Sequence, residues 1–194
     1  LPKNGTVAEL GVDNAGFSRR ILEFNKPKKL HLIDPWGGKD DEYVKTYGVK
    51  DPMEDRYRCV LDVLSEPLST GQVEIHRGYS YDVFPTFAEN YFDWVFVDGM
   101  HTFEAVKKGL FLVENKVKPG GFIVGHDFSN TGRADFGVIP AVLEFLESRP
   151  GYKLLCVTYE RAPSYLIAKN PDCEGARLLE ERIIDAQPSI FELP

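Results

Sequence analysis

The chain has 194 residues, the size of one domain and enough to bury a substantial core. Its 30 acidic residues outweigh 23 basic ones, and a net charge of -7 repels phosphate backbones, which argues against a general nucleic-acid binder. No apolar run approaches the ~20 residues of a membrane span, and Cys59, Cys156 and Cys173 lack CxxC spacing, so the composition excludes a disulfide scaffold or zinc knuckle and fits a reducing cytoplasm.

The chain opens at Leu1, without a Met or an apolar signal stretch, and reads as a piece of a longer protein with an upstream element missing. Thr6–Leu10 (TVAEL) reads as the first strand and residues 16–24 as the helix after it. Residues 30–33 (LHLI) form a second strand ending at Asp34, and 39–52 is a polar loop before a helix near 54–64. Strand three covers 73–76, with a short helix over 82–89. Strand four covers 94–97 (WVFV), whose unbroken apolar character buries it on both faces. Phe103, Val106, Leu110 and Val113 recur at helical spacing. Pro119-Gly120-Gly121 then turns the chain into strand five, 122–125.

Residues 129–137 are polar and glycine-containing, and read as a lid or substrate loop. A helix over 140–146, with its proline in the first turn, precedes strand six at 153–158 and strand seven at 164–168. The last two are antiparallel neighbours if 161–163 makes a hairpin. The tail, 172–194, holds one charged helix. Strands alternating with helices predict an α/β fold: a seven-stranded, mostly parallel sheet with helices on both faces and the last strand antiparallel. Residues 1–170 read as one ligand-binding domain and 171–194 as a helical tail.

Three features carry chemistry. Strand one runs into Glu9-Leu10-Gly11-Val12-Asp13-Asn14-Ala15-Gly16, where glycines at the strand end and helix start let a ligand approach exposed amides. This is not the GxGxxG of dinucleotide binders. Asp34, 23 residues beyond Gly11, ends strand two, where a carboxylate can accept both hydroxyls of a ribose; a helix cap or a solvated loop is the alternative. Strand four ends in Asp98-Gly99-Met100-His101 and strand five in His126-Asp127, so four titratable groups gather in one crevice if those strands are neighbours. Burying them together is costly unless a metal, a ligand or proton transfer compensates.

The combination of E-x-G-x-x-x-x-G, the Asp after strand two, D-G-x-H and P-G-G…H-D resembles the class I S-adenosylmethionine-dependent methyltransferases. More narrowly it resembles the small-molecule O-methyltransferase branch that includes macrolide-sugar and cephalosporin-pathway enzymes, over residues 6–128. The resemblance implies a Rossmann-like domain. It also implies that Gly11 and Gly16, with Glu9 behind them, hold the methionine end of the cofactor, that Asp34 binds its ribose and that Ser80 lies close to its adenine. Asp98 lines the same pocket, and Asp98 and Asp127 match positions that hold Mg²⁺ or another divalent cation in metal-dependent members. His126 stands where those members often place a third acidic ligand, which puts that contact in doubt; a strand-end histidine bonded to backbone is the alternative. His101 matches the general base.

The activity implied is methylation of a hydroxyl on a sugar or other small metabolite, without nucleic-acid or membrane partners and with a homodimer left open. An NAD(P)-dependent oxidoreductase and a non-catalytic methyltransferase-like module remain alternatives. His31 and His76 lie inside strands and read as structural. Tyr79, Tyr81, Phe84 and Phe87 read as core, with Tyr79 or Tyr81 also able to stack on adenine. Arg133, Asp135 and Phe136 are candidates to touch substrate.

Overall fold

A computed structural model describes residues 1–37, 42–48, 53–130, 136–185 and 190–191. Eight strands form one sheet: β1 (Thr6–Leu10), β2 (Lys29–Asp34), β3 (Val73–Arg77), β4 (Phe92–Val97), β5 (Val117–Gly125), β6 (Tyr152–Thr158), β7 (Tyr165–Lys169) and β8 (Ile190–Phe191). Their order is β3-β2-β1-β4-β5-β7-β6-β8. The first five run parallel, and β7 inserts antiparallel between β5 and β6. The sheet therefore has the expected Rossmann-like form with an antiparallel β7. The hairpin of β6 and β7 is also present. The two-residue β8, antiparallel to β6, was too short to show a pattern.

Alternating residues divide the core between the two faces. Val7, Leu30, Leu32, Trp94, Phe96 and Phe122 pack on one side, against α1 (Gly16–Arg20), α3 (Met53–Val63), α4 (Ser65–Ser69) and α8 (Glu174–Asp185). Ala8, Ile33, Val95, Ile123 and Ile167 pack on the other. There they meet the turn after α5 (Ser80–Val83), together with α6 (Phe103–Glu114) and α7 (Val138–Glu147). A short helix, α2 (Glu42–Tyr47), lies within the segment read as a loop; residues 39–41 and 49–52 are outside the described residues.

Three boundaries depart from the sequence reading. The first helix is α-helical only to Arg20, continues as a π-turn over Ile21–Asn25 and stops at Lys26, whose φ of 50° is left-handed, before Pro27. The helix expected over 82–89 is instead α5 plus a 3-10 turn, Phe84–Thr86, because Pro85 removes an amide and restricts the residue before it. Pro119-Gly120-Gly121 lies inside β5 at a register shift against β4 rather than in a turn before it. Gly121 is required there, since a Cβ would lie 2.6 Å from the Asp93 carbonyl oxygen.

Because strand order reverses between β1 and β4, a crevice opens beyond their carboxyl ends. Among the described residues no helix is long and apolar enough to cross a membrane.

Candidate active site

The crevice is walled on one side by the turn after β1. Gly11 has a φ of 82°, and a Cβ there would lie 1.7 Å from the Asp98 carbonyl oxygen, so this position admits only glycine. The same contact joins the turn to the tip of β4, where the Asp98 amide also donates to the Leu10 carbonyl at 2.8 Å. At Gly16, the start of α1, a Cβ would meet only the Asn14 side chain, at 3.3 Å, and the Gly16 amide donates to Asn14 Oδ1 at 3.2 Å.

Asp34 closes the turn from the β2 side. Its Oδ2 accepts from the amides of Val12 and Asp13 at 2.9 and 3.2 Å, and its Oδ1 from the Trp36 amide at 2.7 Å. Asp34 thus ties the β1 turn to the end of β2 through loop amides and caps no described helix. Burial outweighs these bonds and holds its carboxyl above the ordinary range. Trp36, which the sequence reading passed over, packs fully buried and donates its indole N–H to the Asp13 carbonyl at 2.8 Å. The D-P-W run after β2 was its only signal.

Beneath the turn lies Glu9, 1% exposed, accepting a 2.6 Å hydrogen bond from the Ser18 hydroxyl. Burial pushes its carboxyl up to about 8, with Asp98 and Asp34 adding to the effect. At that value the carboxyl is mostly protonated at neutral pH.

β4 and β5 are paired with Val97 opposite Gly125, so the two tips adjoin and their side chains converge. His101 Nε2 stands 3.0 Å from Asp127 Oδ2 and 3.5 Å from Asp98 Oδ1. His126 Nδ1 lies 3.4 Å from Asp127 Oδ2 and 3.8 Å from Asp98 Oδ2. Its bond to Asp127 raises the imidazole and lowers the carboxyl from their ordinary values. Asp98, His101 and Asp127 form the set whose ligand atoms lie within 4.8 Å of one another, so His101 rather than His126 completes the converging triad.

The far wall comes from Phe136, whose ring centre lies 5.3 Å from that of His101, and from Gly137, whose amide donates to the His101 carbonyl at 2.8 Å. Arg133 and Asp135 lie outside the described residues. Two further side chains went unnoticed in the sequence. Tyr165 is buried under Gly125, where a Cβ would meet its ring at 2.1 Å, and Phe17 stacks on Phe96 at 4.1 Å beside the helix start. Ser80 begins α5 beyond the tip of β3. The aromatic cluster divides: Phe84 is buried, whereas Tyr79 and Tyr81 stack on each other at the surface with centres 5.0 Å apart.

Comparison with known proteins agrees with this geometry. No curated protein sequence matches the chain. Among solved structures, the O-methyltransferase TomG from Streptomyces achromogenes, determined with SAM, superposes with a TM-score of 0.62 at 18% identity, over 86% of this chain and 74% of that one. A SAM-dependent methyltransferase from Aquifex aeolicus gives 0.59 at 14% identity, over 87% and 84%. A precorrin-6y C5,15-methyltransferase from Geobacter metallireducens gives 0.57 at 13%, over 87% and 81%. The family profile described as a methyltransferase domain matches residues 8–128, which run from β1 to the tip of β5 and hold the glycine turn and the triad alike. The nicotinamide alternative left open by Asp34 is thereby set aside: the chain belongs to the methyltransferase-domain family and has the fold of the class I S-adenosylmethionine-dependent enzymes.

Proposed function

We propose that this chain transfers a methyl group from S-adenosylmethionine to a hydroxyl of a small molecule, such as a sugar, with His101 as the base. The observation that carries the reading is the position of His101 Nε2, 3.0 Å from Asp127 and 3.5 Å from Asp98, beside the glycine turn. The donor supplies an electrophilic methyl on a sulfonium. On this reading Gly11 and Gly16 leave room for its methionine end, Glu9 ionises beneath it, and Asp34 and Ser80 face its ribose and adenine. The acceptor hydroxyl lies against His101. As the O–C bond forms and the S–C bond breaks, the hydroxyl proton passes to the free nitrogen of the His101 imidazole, and the carboxylates of Asp98 and Asp127 stabilise the imidazolium. Positioning the two reactants contributes on the order of 7–11 kcal/mol.

The same three side chains fit a divalent cation, since two carboxylates and one imidazole offer ligand atoms within 4.8 Å of one another. Bound there, the cation would lower the hydroxyl pKa, with Asp98 and Asp127 holding it. His126, at the flank, would serve as the proton acceptor whenever His101 is a ligand.

Calorimetric titration with S-adenosylmethionine and with its demethylated product tests the donor site, and a panel of hydroxylated metabolites tests transfer. His101→Ala is expected to bind donor within about twofold of wild type and to lose about 10²–10⁴ in turnover. Absence of binding for both donor forms refutes the reading, and unchanged turnover in the variant refutes the base. Binding without transfer to any acceptor would mark a non-catalytic module.

A further inference from the structure

The other two of the chain's four histidines meet on the outer strands, with β1 between them and the tips of β4 and β5. His31 lies on β2 opposite Glu74 of β3, and His76 follows two residues later on the same face. His31 Nδ1 is 3.0 Å from His76 Nε2; Glu74 Oε1 is 3.6 Å from His76 Nε2, and its Oε2 is 4.0 Å from His31 Nδ1. One ligand atom from each lies within 4.8 Å of the other two. We propose that His31, Glu74 and His76 form a second, independent site for a divalent transition-metal ion of the zinc type, clasping the edge strand β3 to β2.

Three observations support the assignment. Two nitrogens on a tetrahedral zinc, each at about 2.0–2.1 Å, stand roughly 3.3 Å apart, so the two rings are already at nearly ligand spacing. His31 Nε2 is 3.2 Å from the Tyr91 hydroxyl. An Nε2–H donated to that oxygen leaves the Nδ1 lone pair facing His76, the outer-shell arrangement that fixes a metal-binding tautomer. Glu74 is held in place by Lys29, whose ammonium lies 2.7 Å from Oε2 and also donates to the Gly71 carbonyl, while Oε1 faces His76. Lys29 and Glu74 are also the charges that act on His31. Two imidazoles and one carboxylate select zinc-type ions over magnesium or calcium.

The competing account is a plain hydrogen bond between neutral imidazoles, which binds no metal. To separate the two, the full chain carrying Asp127→Asn, which disables the triad, is titrated calorimetrically with zinc chloride, and its cobalt(II) absorption is recorded. One equivalent should bind, with the intense visible bands of a tetrahedral cobalt site. Adding His76→Gln should weaken binding at least about tenfold, and Tyr91→Phe by about tenfold through loss of the outer-shell bond. Glu74→Gln, on an exposed side chain, should also weaken binding while leaving the unfolding curve in chelator unchanged, which separates ligand loss from misfolding. No binding to the Asp127→Asn chain, or equal affinity after both His76→Gln and Glu74→Gln, overturns the proposal.

Discussion

Replacing Glu9 with glutamine is expected to stabilise the free chain and weaken its hold on the donor. Burial raises the Glu9 carboxyl from 4.5 to about 8, which at 1.36 kcal/mol per pH unit makes its ionisation inside the fold cost roughly 5 kcal/mol. The sign follows from proton binding. Between pH 4.5 and 8 the folded chain keeps a proton that the unfolded chain has released, so this contribution to stability is complete below pH 4.5 and disappears as pH rises to about 8. By pH 7 about 3 kcal/mol of it has gone.

Glutamine has no such proton to lose, and its amide oxygen still accepts from Ser18, so the variant should escape the loss. Urea unfolding of both chains at pH 5, 7 and 9 measures the difference, which should open from near zero to about 3 and then about 5 kcal/mol. Calorimetry should show donor affinity falling about 10–100-fold, the magnitude of one charge-assisted contact. Parallel pH dependence in the two chains would mean that Glu9 does not titrate in this range, and the argument for a buried acid awaiting a cation would fail.

Gly11→Ala should lose about 2–6 kcal/mol of stability, adding left-handed strain at φ 82° to overlap with the Asp98 carbonyl; an unchanged urea midpoint refutes the contact. His31 titrates in the opposite sense to Glu9. Its folded value near 4 lies below its ordinary 6.5, so the stability it contributes is complete above pH 6.5 and lost as pH falls toward 4, by roughly 3 kcal/mol. In wild type the two trends oppose each other between pH 4.5 and 6.5. In Glu9→Gln, with chelator present, stability should climb through that window, and a flat profile would remove His31 as its cause.

Much of this architecture was legible in sequence because parallel strands buried on both faces advertise themselves as apolar runs, as WVFV does for β4. The errors fall where one local signal has two meanings. Phe84 and Phe87 extend an apolar spacing past Pro85, which ended the helix they suggested. Pro119-Gly120-Gly121 looks like a turn, yet the same residues make a bulge within β5. The tip residues Asp98, His101, His126 and Asp127 could be named from two motifs, but which imidazole completes the triad depends on side-chain direction. Pairing between His31 and His76 was invisible for another reason: it joins strands 45 residues apart, and no local pattern encodes the register between them.

On the proposed reading the crevice has a donor wall and an acceptor wall, and the two are built differently. Around the turn after β1, neighbouring strand tips are fastened by two backbone bonds, Gly11 N–H to the Ile33 carbonyl and Asp98 N–H to the Leu10 carbonyl, and by the Asp34 carboxylate across three amides. The two backbone bonds do not depend on side-chain identity, whereas the three made by Asp34 require a side-chain acceptor at that position. On the acceptor side, His101 meets the segment entering α7, through one backbone bond from Gly137 and the ring of Phe136. Contacts made by side chains on a connecting segment can change without disturbing the sheet. Solved structures at 18% identity or less share this sheet. On that reading the acceptor is to be sought in the chemistry presented around Phe136, while the turn at Gly11 speaks only for the donor.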